Sequence, residues 1–156
     1  MIGPASGKGV RVLVSFLVLV VGGGLGIGAL TVPGTWYAGL AKPAFNPPNW
    51  IFGPVWTCLY VLIAIAGSRT FRGDRRGVAM KAWWTQLALN FAWPVAFFAA
   101  HAIAAALVVV LALLGTIIVF MAASRRPDPV AAWLFAPYAA WVGFATVLNG
   151  SILALN

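Results

Sequence analysis

The sequence predicts an all-α membrane protein: a five-transmembrane-helix bundle with a structured first loop acting as a lid. Three observations predict it. Of 156 residues, 63% are hydrophobic and 8% charged, against roughly half and a quarter in a soluble domain. A water-soluble globule of this length could not hide so much apolar side chain. The apolar residues gather in runs close to the roughly 20 residues that cross a bilayer core, and no segment alternates apolar with polar as a membrane barrel requires. An ordinary soluble enzyme, a nucleic-acid reader and a disordered chain are excluded on the same grounds.

Residues 1–156 read as a single transmembrane domain with expected spans at about 10–30, 50–68, 79–99, 102–123 and 130–153. The first span has a rival reading as a secretory signal, because Lys8 and Arg11 precede it and small residues follow at Gly22–Gly28. Its apolar stretch continues through Leu25, Ile27, Ala29 and Leu30, which is long for a signal core. The second and third spans are joined by a basic loop, 69–77, carrying Asp74. Almost nothing joins the third and fourth spans near His101, so these two must be antiparallel neighbours. Ser124–Pro129 is a turn with two prolines. The loop Val32–Asn49 is different: Pro33, Pro43, Pro47 and Pro48 stiffen it, and Trp36, Tyr37 and Phe45 want burial. It should fold over the mouth of the bundle.

The net charge of +8 comes from ten Lys and Arg against two acidic residues. With five spans, Lys8, Arg11, Arg69, Arg72, Arg75, Arg76, Lys81, Arg125 and Arg126 share one side, and Lys42 stands alone on the other. The bias places the N-terminus in the cytoplasm. The charges sit in loops rather than on a binding face, so nucleic acid is not an expected partner.

The eight Trp are partitioned. Trp50, Trp56, Trp83, Trp84, Trp93, Trp133 and Trp141 lie on the second, third and fifth spans, Trp36 in the first loop, and none on the first or fourth. Pro54, Pro94 and Pro137 follow the same split, as do Gln86, Asn90, Asn149, Tyr60 and Tyr138. An amide in lipid is expensive without a partner, so the three amides should point inward. Helical spacing makes three stripes: Trp83, Gln86, Asn90, Trp93 and Phe97 on the third span; Tyr138, Trp141, Ala145 and Leu148/Asn149 on the fifth; Phe52, Trp56 and Tyr60 on the second. Aromatic stripes with a few amides describe the wall of a pocket for a flat, largely apolar ligand. The prolines should bow the helices apart and help open it.

Plainer roles compete. Trp50, Trp83, Trp84 and Trp133 lie near span ends, where interfacial anchoring accounts for them. Trp56, Trp93 and Trp141 lie deeper, where packing is the alternative, and Asn90 could serve as helix–helix glue. Ala88, Ala92, Ala96 and Ala100 repeat at four along the third helix, and Gly22/Gly26 and Gly24/Gly28 along the first. Such ridges permit close helix contact within the bundle or in a homodimer.

Catalytic constellations are missing. There is no Glu, and Asp74 and Asp128 lie in loops beside arginines, so no carboxylate stands at membrane depth as a proton-coupled pump needs. Cys58 and His101 fall on different spans, no metal-ligand cluster is visible, and His101 reads as an interfacial histidine rather than a haem ligand. Trp56 and Trp141 are oxidisable rings that a bound pigment could reach.

The blocks Trp36–Tyr37, Lys42-Pro43-Ala44-Phe45-Asn46-Pro47-Pro48-Asn49-Trp50, Pro54-Val55-Trp56-Thr57 and Leu59-Tyr60 strongly resemble the TspO/MBR family. This family comprises the tryptophan-rich sensory proteins and the mitochondrial translocator protein. Gln86 to Pro94 on the third span agrees, as do Pro137-Tyr138, Trp141 and Phe144 to Asn149 on the fifth. The resemblance implies a five-helix bundle, commonly dimeric, with a pocket closed by the first loop. It implies binding of porphyrins such as protoporphyrin IX, of haem-pathway intermediates, and of isoquinoline carboxamide or benzodiazepine-type drugs, with no required cofactor. The implied lining is Tyr37, Phe52, Trp56, Tyr60, Asn90, Trp93, Trp141, Ala145 and Leu148. In bacterial relatives the positions of Trp56 and Trp141 are linked to light-dependent porphyrin degradation, so these are the catalytic candidates only if degradation occurs. Animal members carry a sterol-recognition pattern after the equivalent of Leu148-Asn149; here the chain reads Gly150-Ser151-Ile152-Leu153-Ala154-Leu155-Asn156, without it. The expected role is a tetrapyrrole-binding membrane sensor or regulator. Transport of porphyrin or lipid is the competing role, and no internal repeat supports it.

Overall fold

In the computed structural model, which describes residues 7–156, helix α1 (Gly7–Leu30) runs without a proline and contains a π turn at Val18–Gly22. The first six residues of the expected domain lie outside the described residues. Phe16 and Val20 bury the inner face of α1. The helix stops where the Thr31 hydroxyl and N–H both bond the Ile27 carbonyl, at 2.8 and 3.0 Å, two residues before Pro33.

Helix α2 (Asn49–Gly73) starts directly after Pro48 and continues past the expected end at Ser68. The expected basic loop is therefore much shorter, because Arg69 and Arg72 complete the last turns of a helix, where cations meet the negative end of its dipole. Asp74 then makes the turn, accepting from the N–H groups of Arg76 and Gly77, each at 3.0 Å.

Helix α3 is an α segment, Val78–Pro94, continued by a π turn, Val95–Ala99. Pro94 lacks the N–H of a regular ladder, and the register widens immediately after it. His101 closes the turn in the left-handed region, φ 54°, and α4 (Ile103–Ser124) returns antiparallel against α3. Asp128 caps α5 (Pro129–Leu155), accepting from the Ala131 N–H at 3.1 Å. This helix breaks for one residue at Phe135, just ahead of Pro137.

Among the described residues, four helices, α1, α2, α4 and α5, are long and apolar enough to cross a membrane. The α segment of α3 has 17 residues before the π turn. Among the described residues there is no strand.

One half of the bundle is solid. Phe16, Ile63, Trp83, Phe120 and Phe135 are buried there, and the Phe120 and Phe135 rings lie 4.0 Å apart. Trp83 is 0% exposed. Its indole N–H donates to the Ile63 carbonyl at 2.9 Å, and its ring occupies the space over Gly67 that a β-carbon would need. The anchoring role expected of Trp83 is thus wrong: a glycine on α2 makes room for the ring, and a carbonyl satisfies its nitrogen. Trp50 and Trp133, at 74% and 75% exposed, do stand outward near helix ends. Arg69 grips Asp128 beneath this half with two hydrogen bonds, 3.0 and 2.9 Å.

Candidate functional site: an aromatic cavity inside the bundle

The other half is hollow. A cavity of about 490 Å3 lies between the helices, within the roughly 300–1,000 Å3 range of small-molecule sites. Tyr37, Phe52, Trp56, Tyr60, Asn90, Trp93, Trp141, Ala145 and Leu148 all line it. No charged side chain is among its lining residues.

The wall is built from ring contacts. Trp56 lies 5.5 Å from Tyr60 and 6.3 Å from Tyr138. Trp141 meets the edge of Phe52 at 5.8 Å, and Trp93 stacks on Phe97 at 5.3 Å. Trp56, Trp93 and Trp141 are half-buried, unlike the sealed Trp83 and the outward Trp50 and Trp133.

The inward amides find partners. Asn90 donates to the Tyr138 hydroxyl at 2.7 Å, and Tyr138 donates to Gln86 Oε1 at 2.8 Å. Tyr60 reaches Asn90 Oδ1 at 3.5 Å. Asn149 accepts from the Trp93 indole at 3.0 Å and donates to the Ile103 carbonyl at 3.1 Å. Gln86 Nε2 is buried without a partner. Gln86 is one residue of the aromatic stripe that does not line the cavity: with Trp83 it lies on the solid side.

The helix partition was too strict. Gly24, Leu25, Ile27, Gly28 and Ala29 of α1 line one side, and Val110 and Leu113 of α4 another. Residue type alone could not assign them, since they are small or aliphatic and shape the wall by position. The spacing of the glycines was the available signal, yet only Gly24 does what a close-contact ridge implies: a β-carbon there would strike the Tyr60 ring, while Gly22, Gly26 and Gly28 have nothing within 4 Å.

The loop at this end is fastened to the helices. Tyr37 is buried against Phe97 and Phe98, with ring centroids 6.1 and 5.4 Å away, and its hydroxyl donates to Asn46 Oδ1 at 3.3 Å. Burial pushes the Tyr37 phenol up from its ordinary value and outweighs that hydrogen bond, so the phenol stays protonated at neutral pH. Trp36 stacks on His101 at 4.1 Å. Ala41 and Asn156 exchange two hydrogen bonds, each 3.0 Å. Pro33, Tyr37 and Asn49 bring the loop to the cavity. Lys42 does not line it: its ammonium bonds the Ala38 and Leu40 carbonyls and sits 4.6 Å over the Tyr37 ring.

Among the described residues, no group of three His, Cys, Asp or Glu could hold a metal ion. The site can stack, bury and hydrogen-bond a guest.

Apolar helices of spanning length around an internal aromatic cavity define an integral membrane protein of the helical-bundle class. Residues 15–155 match the TspO/MBR family. The chain is 43% identical over 126 residues to the tryptophan-rich protein TspO of Archaeoglobus fulgidus, covering 78% of this chain and 80% of that one. It is 39% identical over 129 residues to the tryptophan-rich sensory protein of Cereibacter sphaeroides, covering 83% and 82%. It is also 39% identical over 119 residues to the human translocator protein, covering 73% and 70%. The chain belongs to the TspO/MBR family.

Proposed function

We propose that this protein is an intramembrane binder and sensor of a flat tetrapyrrole, with protoporphyrin IX as the representative ligand. The observation that carries the reading is the cavity, whose wall combines three half-buried indoles with two buried amides, Asn90 and Asn149. A planar aromatic guest stacks on Trp56, Trp93 and Trp141, each ring contact contributing about 0.5–1.5 kcal/mol beyond area burial. Asn90 supplies the polar contact that orients it. With no charged lining, the carboxylates of such a guest stay at the mouth, beside Thr31, Pro33 and Asn49. The names of the relatives, sensory protein and translocator, agree with a small-molecule role at a membrane.

The fine architecture belongs to the same reading. Residues 78–99 form the remaining span, third in chain order, and the loop 32–49 is the lid, pinned by Tyr37 and Asn156. The basic helix ends and loops face the cytoplasm of a bacterial cell, with the N-terminus inside. A homodimer forms on the Ala88/Ala92/Ala96 face, where Ala88 and Ala92 are exposed.

Quenching of tryptophan fluorescence by protoporphyrin IX in reconstituted vesicles tests binding. Wild type gives saturable quenching, and Asn90→Ala binds several-fold more weakly, the size of one lost hydrogen bond. Linear, non-saturating quenching in wild type rejects the site. Trp56 and Trp141 both face the guest, which supports light-dependent porphyrin loss. In that case Trp56→Phe with Trp141→Phe stops bleaching in a folded protein; wild-type bleaching in the double variant removes the indole role.

A further inference from the structure

Trp141 has a second side. Away from the cavity, α2 and α5 do not close on one another, and a groove of about 590 Å3 lies between them. Pro54, Cys58 and Leu62 wall it on α2; Pro137, Trp141 and Phe144 wall it on α5. The only side-chain heteroatoms in its lining belong to Cys58 and Trp141. From Pro54 to Leu62 the groove follows about 12 Å of helix, over turns well inside two helices of membrane-spanning length.

Water has no reason to fill it, because the walls offer almost no hydrogen-bonding groups. Left unfilled, both walls forfeit dispersion contacts. The medium facing it is hydrocarbon. We propose that this groove binds one lipid acyl chain, and that Trp141 couples the groove to the cavity because the same indole walls both. The occupant is a tail rather than a headgroup, since nothing polar is available to hold one. Trp141 is suited to the coupling. Trp83 and Trp93 donate their indole N–H groups to Ile63 and Asn149, whereas the Trp141 indole is held by packing, with the Phe52 ring at 5.8 Å and the Phe144 ring at 5.6 Å. A chain pressing on its outer face shifts the ring against the guest on its inner face, and the reverse.

The acyl-chain assignment stands on the groove alone; the coupling rests on the tetrapyrrole reading. The full chain is reconstituted in phosphatidylcholine vesicles doped with a phosphatidylcholine bearing a photoactivatable diazirine on its acyl chain, and adducts are mapped by peptide mass spectrometry. Cys58, Leu62 and Ala140 should be labelled several-fold more than Val108, Leu111 and Ile118, which are exposed on α4. Ala140→Phe, which fills the groove, should bring its labelling down to the α4 level. Wild-type groove labelling equal to α4 overturns the acyl-chain site; labelling below α4 shows that another polypeptide covers the groove and overturns it too. Saturating protoporphyrin IX should change groove labelling in wild type and leave it unchanged in Trp141→Ala. Enriched labelling that a bound porphyrin does not move overturns the coupling. If porphyrin does not bind at all, the coupling falls with the tetrapyrrole reading, and the enrichment alone still decides the acyl-chain site.

Discussion

Trp93 donates its indole N–H to Asn149 Oδ1 at 3.0 Å, joining α3 to α5 at the edge of the cavity. One bond thus fixes the plane of a cavity-wall ring and satisfies a buried amide. Trp93→Phe keeps the ring and loses the donor. The expected loss of stability is about 0.6–1.5 kcal/mol, read as a lower unfolding temperature in detergent. An unfolding temperature equal to that of wild type would show that the bond contributes nothing.

Tyr138 is the hub of the buried network, accepting from Asn90 and donating to Gln86. Tyr138→Phe leaves both amides short of a partner and should cost about 1–3 kcal/mol. Tyr60→Phe removes only a long contact of 3.5 Å and should cost less than about 1 kcal/mol. Thermal unfolding of both variants ranks them, and the reverse order contradicts the assignment of the hub.

Two glycines should respond oppositely to alanine. At Gly67 the added carbon meets the Trp83 indole, and overpacking costs about 1–3 kcal/mol. At Gly115, inside α4, nothing lies within 4 Å, and alanine should be neutral or stabilise by up to about 1 kcal/mol. Denaturation of the two variants side by side checks the sign.

Asp128 links stability to pH. Burial alone raises its pKa, but hydrogen bonds and charge from Arg69 and the Ala131 N–H outweigh it and hold the carboxyl below its ordinary value. A carboxyl lowered in the folded state stabilises fully above its unfolded pKa, and that contribution is lost as pH falls through the folded one. Unfolding temperature should therefore drop on acidification in wild type by more than in Asp128→Asn. Parallel acid profiles would contradict this.

Much of this was legible in the sequence, and for identifiable reasons. Span positions followed from apolar run length. Asn90, Asn149 and Gln86 were placed inward because lipid offers an amide no partner, and all three are buried. Trp83 was misread because position near a span end says nothing about a facing Gly67 on another helix. The α1 and α4 sides of the wall were missed because Gly28 and Val110 carry no chemistry of their own.

The most direct test fills the hollow. Ala145 lines the cavity from α5, and Ala145→Trp puts an indole where the guest would lie. The account predicts saturable tryptophan quenching by protoporphyrin IX in wild type, and its loss in a variant that unfolds at the wild-type temperature. Undiminished saturable quenching in that variant would place the pigment elsewhere and contradict the account.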